Sequence, residues 1–135
     1  MKINKVIIHA ADTPAGMNVG VEEIRRWHVE GNGWSDIGYH YVITRDGTIE
    51  AGRDEDTQGA HVRGHNGDSL GVCMVGGKPG CNYTAAQWEA LAWLVRGLLL
   101  RHGLVASDVY GHNDFDKGKT CPTFDAHAWA ANLEI

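Results

Sequence analysis

The sequence predicts a single α/β domain in which a central mixed β-sheet is flanked by α-helices. The 135 residues, 43% of them hydrophobic, suit one ordinary hydrophobic core. Short apolar runs typical of strands, such as residues 6–8 and 70–75, lie between segments with helical periodicity. Their order along the chain is irregular, which favours a mixed sheet over a regular doubly wound one. We therefore expect one domain over residues 1–135, with no separate regulatory module.

In the first half of the chain, apolar patterns predict several strands and one helix. The Val-Ile-Ile run at 6–8 is a β-branched strand that ends at His9. Apolar residues recur at helical spacing over 21–28, and a Gly-Asn-Gly turn ends that helix. Residues 39–50 form a predicted hairpin, because their Asp-Gly pair supplies the positive φ that a tight turn needs. The run at 70–75 is typical of a buried strand.

The second half contains the clearest predicted element, a helix over residues 84–102. Thr84 and Gln87 have the spacing of a capping box, one apolar stripe follows the helix, and a glycine ends it. A brief extended segment at 109–110 comes next. Residues 125–133 then predict a terminal helix that begins with an aspartate cap.

Charge and composition disfavour two classes of partner. The formal net charge is −5 and the chain has no run of lysines and arginines, so we expect neither nucleic acid nor a membrane as a partner. The apolar segment near the N-terminus is too short for a signal peptide, and no segment is long enough to span a bilayer. We expect the chain to stay in the cytoplasm until another factor releases it.

The three cysteines do not form the framework of a disulfide-rich protein. Cys73 lies in the predicted buried strand, and we expect it in the core. Cys81 lies in a polar loop, where we expect an exposed free thiol. Because three cysteines cannot all pair with one another, at least one thiol is available for other chemistry.

Two histidines and a cysteine lie where strands and loops end, and they could bind a metal. Zinc prefers imidazole and thiolate ligands, and catalytic zinc sites use three protein ligands. His9, His112 and Cys121 would supply such a set. Their spacing matches no short zinc motif, so on spacing alone a buried thiol and a hydrogen-bonded loop histidine are favoured over a metal site.

Several blocks of the sequence match one protein family in the family's own order. They include Gly-Trp-Ser-Asp-Ile-Gly-Tyr-His-Tyr at 33–41, Gly-Ala-His-Val-Arg-Gly-His-Asn at 59–66 and Lys-Thr-Cys-Pro-Thr-Phe-Asp at 119–125. Further matching blocks lie at 6–9, 45–53, 69–73 and 111–112. Together these blocks resemble the type-2 N-acetylmuramoyl-L-alanine amidases. That family includes small phage endolysin amidases and the animal peptidoglycan recognition proteins, and the resemblance covers nearly the whole chain.

The resemblance implies a zinc-dependent enzyme that cuts the bond between N-acetylmuramic acid and L-alanine in peptidoglycan. His9, His112 and Cys121 fall on the family's zinc ligands, so Zn²⁺ is the implied cofactor and a site at one edge or face of the sheet is expected. Some bacterial relatives have a carboxylate in place of the thiolate, which makes Asp114 and Asp116 rival ligands, but Cys121 in its Lys-Thr-Cys-Pro setting matches better. Tyr39 falls on the active-site tyrosine. Lys119 falls where phage members have a catalytic lysine. Without the resemblance, Tyr39 would be interpreted as a packed strand aromatic and Lys119 as a solvated charge.

The resemblance also implies two substrate-binding positions. His61 falls on a position that lines the family's substrate groove, and Asn66 falls on a nearby asparagine. Considered alone, His61 would be an ordinary hydrogen-bonded loop histidine. His40 alternates with Tyr39 along its strand, so we expect it on the opposite face, away from the site. Three other histidines have no predicted role in the site, namely His28, His102 and His127, and the role of His65 stays open.

Two other functions stay open at this point. Some animal relatives keep the fold but lose the zinc, so a non-catalytic peptidoglycan-binding module is one alternative. One phage relative also inhibits an RNA polymerase through a basic N-terminal extension, which this chain lacks, so we do not expect that partner. A monomer acting on peptidoglycan, as a phage endolysin in host lysis or as a bacterial recycling enzyme, agrees best with the residues.

Overall fold

The computed structural model describes residues 2–78 and 82–133, and the predicted exposed thiol of Cys81 lies outside these ranges. In the described part of the chain, five strands form one sheet in the order β3-β2-β4-β1-β5. The strands are β1 (Lys5–Ala10), β2 (Tyr41–Ile43), β3 (Ile49–Ala51), β4 (Ser69–Met74) and β5 (Val109–Gly111). Strand β1 runs parallel to β4 and β5, β2 runs parallel to β4, and β3 is antiparallel to β2. The predicted mixed sheet is confirmed.

The three predicted helices are present, with small differences at their ends. They are α1 (Val21–Arg26), α2 (Ala85–His102) and α3 (Ala126–Ala131). A π-helical turn (Trp27–Gly31) continues α1, and α3 ends two residues before the predicted limit. Among the described residues, no helix has the length and apolar character needed to cross a bilayer.

The ends of α2 and the β2–β3 hairpin form as their local sequences predict. The Thr84 hydroxyl accepts a hydrogen bond from the Gln87 amide at 3.1 Å, and the Gln87 side chain accepts one from the Thr84 amide at 3.0 Å. Gly103 ends the helix in the left-handed conformation, at φ +67°. Gly47 supplies the positive φ of the hairpin turn.

The sheet separates two hydrophobic clusters, because successive side chains of a strand point to opposite faces. Val72 and Met74 of β4 face the larger cluster, which contains the apolar residues of α2 and α3. Cys73, between them, faces the smaller cluster, which contains Val21 and Ile24 of α1. His9 is the register partner of Cys73 on the neighbouring strand, so both lie on the α1 side of the sheet. The candidate site is therefore on the face opposite α2.

Candidate active site

Three potential ligand atoms meet at the carboxyl end of the parallel strands. The ligand atoms of His9, His112 and Cys121 all lie within 4.8 Å of one another, and the centroids of the two imidazole rings are 4.8 Å apart. His9 is buried, whereas His112 and Cys121 are partly exposed. Within the described residues, this is the one group of three or more histidine, cysteine or acidic side chains with such geometry. The predicted trio is thus brought together.

Strand pairing brings the two histidines together. His9 is the next-to-last residue of β1, and β5 pairs with β1 in parallel so that Ile8 is opposite Gly111. His112 follows Gly111 directly and begins a short 3₁₀ turn. Parallel strands end at the same edge of a sheet, which is where open α/β sheets commonly bind ligands.

The loop that carries Cys121 is fixed to both strands. The amide of Ala10 donates a hydrogen bond to Cys121 Sγ at 2.9 Å, and the amide of Asn113 donates to the Cys121 carbonyl at 2.8 Å. A Cβ atom on Gly111 would come within 2.8 Å of the Pro122 ring, so only glycine lets this loop approach β5 so closely. These contacts hold the sulfur beside the end of β1.

His61 contacts the first candidate ligand directly. Its Nδ1 lies 2.9 Å from Nε2 of His9, and its Nε2 lies 3.2 Å from the hydroxyl of Ser69. His61 is only 9% exposed. The predicted contact between His61 and substrate stays a prediction, and the structure adds a contact with His9 that the sequence did not indicate.

Asn66 shapes the loop that carries His61. Its side-chain oxygen accepts hydrogen bonds from the amides of His61 and Val62, at 2.8 and 2.9 Å. The proposed role of Asn66 in substrate binding is untested, and this oxygen is already engaged with the protein backbone.

A cavity of about 360 Å³ opens beside two of the three candidate ligands, His112 and Cys121. Tyr39, Lys119, His112 and Cys121 all line it. The Tyr39 ring lies 5.0 Å from the ring of His9, and Lys119 is exposed on the loop before Cys121. Both predicted catalytic side chains therefore border the same space as two of the predicted ligands.

Burial controls the protonation of the three candidate ligands. Desolvation lowers the pKa of His9 well below its ordinary value, and the neighbouring His61 and His112 lower it further. Desolvation also lowers the pKa of His112, against an opposing effect of Asp116. Both imidazoles are therefore neutral near pH 7, which is the form that binds a metal. Burial raises the pKa of the Cys121 thiol to about 11, so a nearby cation is needed to favour its thiolate.

The Tyr39 hydroxyl is hydrogen-bonded to the buried Cys73 thiol. Burial raises the pKa of its hydroxyl well above the ordinary value, and Cys73 and Cys121 add to the effect. Near neutral pH the phenol keeps its proton, so it can donate to an oxygen in the cavity.

The two acidic side chains considered as alternative ligands point to other roles. The Asp114 carboxylate accepts a hydrogen bond from the Gly111 amide at 2.8 Å and thereby caps the short turn after β5. Asp116 affects the pKa of His112 but is not part of the ligand group. Cys121 is therefore the third candidate ligand, as predicted.

His40, which was expected on the face away from the site, is buried, and its ring centroid lies 5.9 Å from that of His61. Nδ1 of His40 accepts a hydrogen bond from the Gly71 amide at 3.0 Å, and its Nε2 contacts the Thr57 carbonyl at 2.8 Å. These bonds attach the loop after β3 to the central strand. Cys73 is fully buried, as expected.

Three residues near the site were missed or given no role by the sequence analysis. Asp12 lines the cavity with a left-handed backbone, at φ +60°. The His28 ring lies 5.5 Å from that of Tyr39 and 4.7 Å from that of Trp34, although His28 sits in the π-helical turn after α1. Ser69 contacts His61. Helical or strand periodicity indicates which face such residues occupy, but not what they contact.

The fold and the site together define a class of small α/β domains with a candidate metal-binding group in a cavity at the carboxyl end of a mixed sheet. Residues 1–124 match the family described as N-acetylmuramoyl-L-alanine amidase. The chain therefore belongs to the N-acetylmuramoyl-L-alanine amidase family.

Individual relatives match nearly the whole chain. It is 45% identical over 137 residues to the endolysin of Klebsiella phage KP32, covering 98% of this chain and 88% of that protein. It is also 45% identical over 136 residues to the endolysin of Escherichia phage T7, covering 96% and 87%. Among solved structures, the N-acetylmuramoyl-L-alanine amidase LysC from Clostridium intestinale has a TM-score of 0.85 at 28% identity, covering 99% of this chain and 88% of that one.

Proposed function

We propose that this chain is a zinc-dependent N-acetylmuramoyl-L-alanine amidase that hydrolyses peptidoglycan during phage-induced lysis of the host. The observation that carries the proposal is the meeting of His9, His112 and Cys121 within 4.8 Å, beside a cavity that Tyr39 and Lys119 also line. Near full-length identity of 45% to two phage endolysins supports the lytic role. On this proposal the protein is made in the cytoplasm and acts on the cell wall.

The donor set fits zinc. Two neutral imidazoles and a sulfur are the ligands that zinc prefers, and three protein ligands are typical of a catalytic site. Nε2 of His9 is engaged with His61, so Nδ1 is the nitrogen left to bind a metal. Bound zinc supplies Lewis acidity and activates water near neutral pH.

The side chains around the cavity suit the charges that develop when an amide is hydrolysed. The C–N bond breaks, a C–O bond forms with the oxygen of water, and both protons of water end on the alanine nitrogen. The products are a lactyl carboxylate and an ammonium group. The Lys119 ammonium stabilises negative charge on the carbonyl oxygen, and the Tyr39 hydroxyl donates a hydrogen bond to the same region. His61 contacts His9 and is held by Asn66, and contact of either His61 or Asn66 with substrate is also part of the proposal.

A digest of purified peptidoglycan tests the proposed reaction. Mass spectrometry is expected to find glycan strands separated from stem peptides that carry a free L-alanine amine. Intact glycan–peptide linkages after incubation with zinc-loaded protein would contradict the proposal. Cleavage elsewhere, within the glycan or the peptide, would assign another hydrolase activity.

Metal removal tests the dependence on zinc and the alternative of a binding module. Dialysis against a chelator is expected to abolish cleavage, and one equivalent of Zn²⁺ should restore it. His9→Ala should bind no zinc and be inactive. Full activity of the chelated protein would refute zinc dependence, whereas peptidoglycan binding without cleavage would favour the non-catalytic module.

A further inference from the structure

A hydrogen-bonded chain runs from a backbone carbonyl to the first candidate ligand. The Ser69 hydroxyl lies 2.6 Å from the His65 carbonyl and 3.2 Å from Nε2 of His61, and Nδ1 of His61 lies 2.9 Å from Nε2 of His9. Ser69 is fully buried, and His9 and His61 are 1% and 9% exposed. Water therefore cannot easily replace these partners.

The chemistry of the groups fixes the direction of each proton. A carbonyl oxygen only accepts, so the single hydroxyl proton of Ser69 points to the His65 carbonyl. The Ser69 hydroxyl oxygen can then only accept from His61, and the Ser69 backbone also accepts a hydrogen bond from this ring, so Nε2 of His61 carries a proton.

The proton on the His9 ring is placed by its contact with His61. A buried, neutral His61 with its proton on Nε2 has a lone pair on Nδ1, which accepts the proton on Nε2 of His9. Neutral His9 then has its lone pair on Nδ1. A metal ion at the His9, His112 and Cys121 group would then bind this lone pair, because Nε2 is occupied by the contact with His61.

We propose that Ser69 and His61 are positioning residues that fix the tautomer and ring orientation of His9 for metal binding. The proposal rests on the proposed zinc site but not on the substrate. Histidine ligands commonly donate their second N–H to an outer group, and loss of that group weakens metal binding by about 10–100-fold. Here the outer group is a second imidazole, whose own proton is placed by a serine.

The backbone around His61 holds its ring in contact with His9. A Cβ atom on Gly71 would lie 2.7 Å from the His61 ring, so the ring occupies the space that a side chain on β4 would fill. The amide of His61 is held by Asn66. The ring is thus fixed from the strand side and from its own loop.

Nuclear magnetic resonance of the metal-free protein tests the proton order directly. Nitrogen shifts of ¹⁵N-labelled imidazoles should show His9 and His61 both protonated at Nε2. In Ser69→Ala, His61 should become a mixture of tautomers. A proton on Nδ1 of either ring in the wild-type protein would overturn the proposal, whether or not the protein cleaves peptidoglycan.

Metal affinity gives a second, independent readout. Competition with a chelator should show an affinity loss of about 10–100-fold in His61→Ala and a smaller loss, up to about tenfold, in Ser69→Ala. His61→Asn should recover part of the affinity, because its amide oxygen can replace Nδ1 as acceptor. Ser107→Ala changes an exposed serine and is the matched control. Unchanged affinity in both His61→Ala and Ser69→Ala, with folding verified by thermal unfolding, would also overturn the proposal.

Discussion

At the scale of single residues, the candidate site contains two sets of side chains with different proposed roles. His9, His112 and Cys121 present ligand atoms to one point, whereas Tyr39 and Lys119 border the cavity without belonging to that group. Substitutions of the two sets should therefore have different effects on metal content and on turnover.

Tyr39→Phe should retain zinc and lose about 100-fold in turnover, because it removes one hydrogen-bond donor from the cavity and leaves the ring in place. Zinc analysis of the purified variant, beside a cell-wall turbidity assay, measures both quantities. Tyr110→Phe removes a hydroxyl outside the cavity and should behave like wild type.

Lys119→Ala should also keep its metal while losing most turnover, since the ammonium that stabilises the developing negative charge is gone. Lys117 is an exposed lysine two residues earlier that does not line the cavity, so Lys117→Ala is the matched control. Full activity of Lys119→Ala would remove this side chain from the mechanism.

At the scale of elements, strand β4 packs against a residue beside the site, and the end of helix α2 holds the loop after β3. Gly71 of β4 leaves room for His61, and a carboxylate in the loop after β3 connects that loop to α2. The contact between Gly71 and His61 depends on the space that a glycine leaves. The contact between the carboxylate and α2 depends on charge.

Gly71→Ala should displace His61 and weaken metal binding, with a stability cost of about 1–3 kcal/mol from overpacking. The added Cβ would lie 2.7 Å from the His61 ring. Gly67→Ala is the control, because its Cβ would meet only the Gln58 side chain at 3.6 Å. Urea unfolding and chelator competition measure the two effects. Wild-type metal affinity in a folded Gly71→Ala protein would contradict this account.

Glu55 predicts an acid-dependent stability. Its carboxylate accepts hydrogen bonds from Tyr41, from His102 at 2.6 Å and from Arg101 at 2.7 Å. Partial burial alone would raise its pKa, but these hydrogen bonds lower the pKa to about 2.

Because the pKa is lower in the folded protein than its ordinary 4.5, Glu55 stabilises the fold above pH 4.5, and this contribution disappears as the pH falls towards 2. Glu55→Gln should therefore show a shallower loss of stability than wild type between these pH values. Chemical unfolding at a series of pH values measures it. Glu89→Gln, on the exposed side of α2, should keep the wild-type slope.

At the scale of the whole molecule, the main hydrophobic core and the candidate site lie on opposite faces of the sheet. The larger cluster, under α2 and α3, supplies most of the buried apolar side chains, and the candidate site occupies the opposite face. Damage to the larger cluster should therefore reduce global stability without removing any group from the cavity.

Two leucines of α2 provide a matched test of this division. Leu98 is fully buried in the larger cluster, whereas Leu100 is 72% exposed. Leu98→Ala should lower the free energy of unfolding by about 2–5 kcal/mol, because it leaves a cavity in the core. Leu100→Ala should change it by no more than about 0.5 kcal/mol. Equal effects in urea unfolding would contradict the assignment of the core.

Much of the fold could be predicted because local patterns agree with the tertiary structure. The capping box at Thr84, the Asp-Gly turn and the apolar runs each form the element that their sequence favours. The π-helical continuation of α1 was not predicted, because side-chain periodicity does not distinguish one such turn from an α-helical end. The prediction that His9, His112 and Cys121 are metal ligands came from the family resemblance, because their spacing alone left other roles open.

The sequence by itself determined the elements and the kinds of side chain available, because hydrophobic periodicity, caps and turns act over a few residues. Only the tertiary structure decided which of those side chains meet. Residues 9 and 121 come together through the parallel pairing of β1 with β5 and the bond from the Ala10 amide to the Cys121 sulfur. The same is true of His61, whose contact with His9 joins residues 52 positions apart. Such contacts depend on packing between distant segments, which no local pattern encodes.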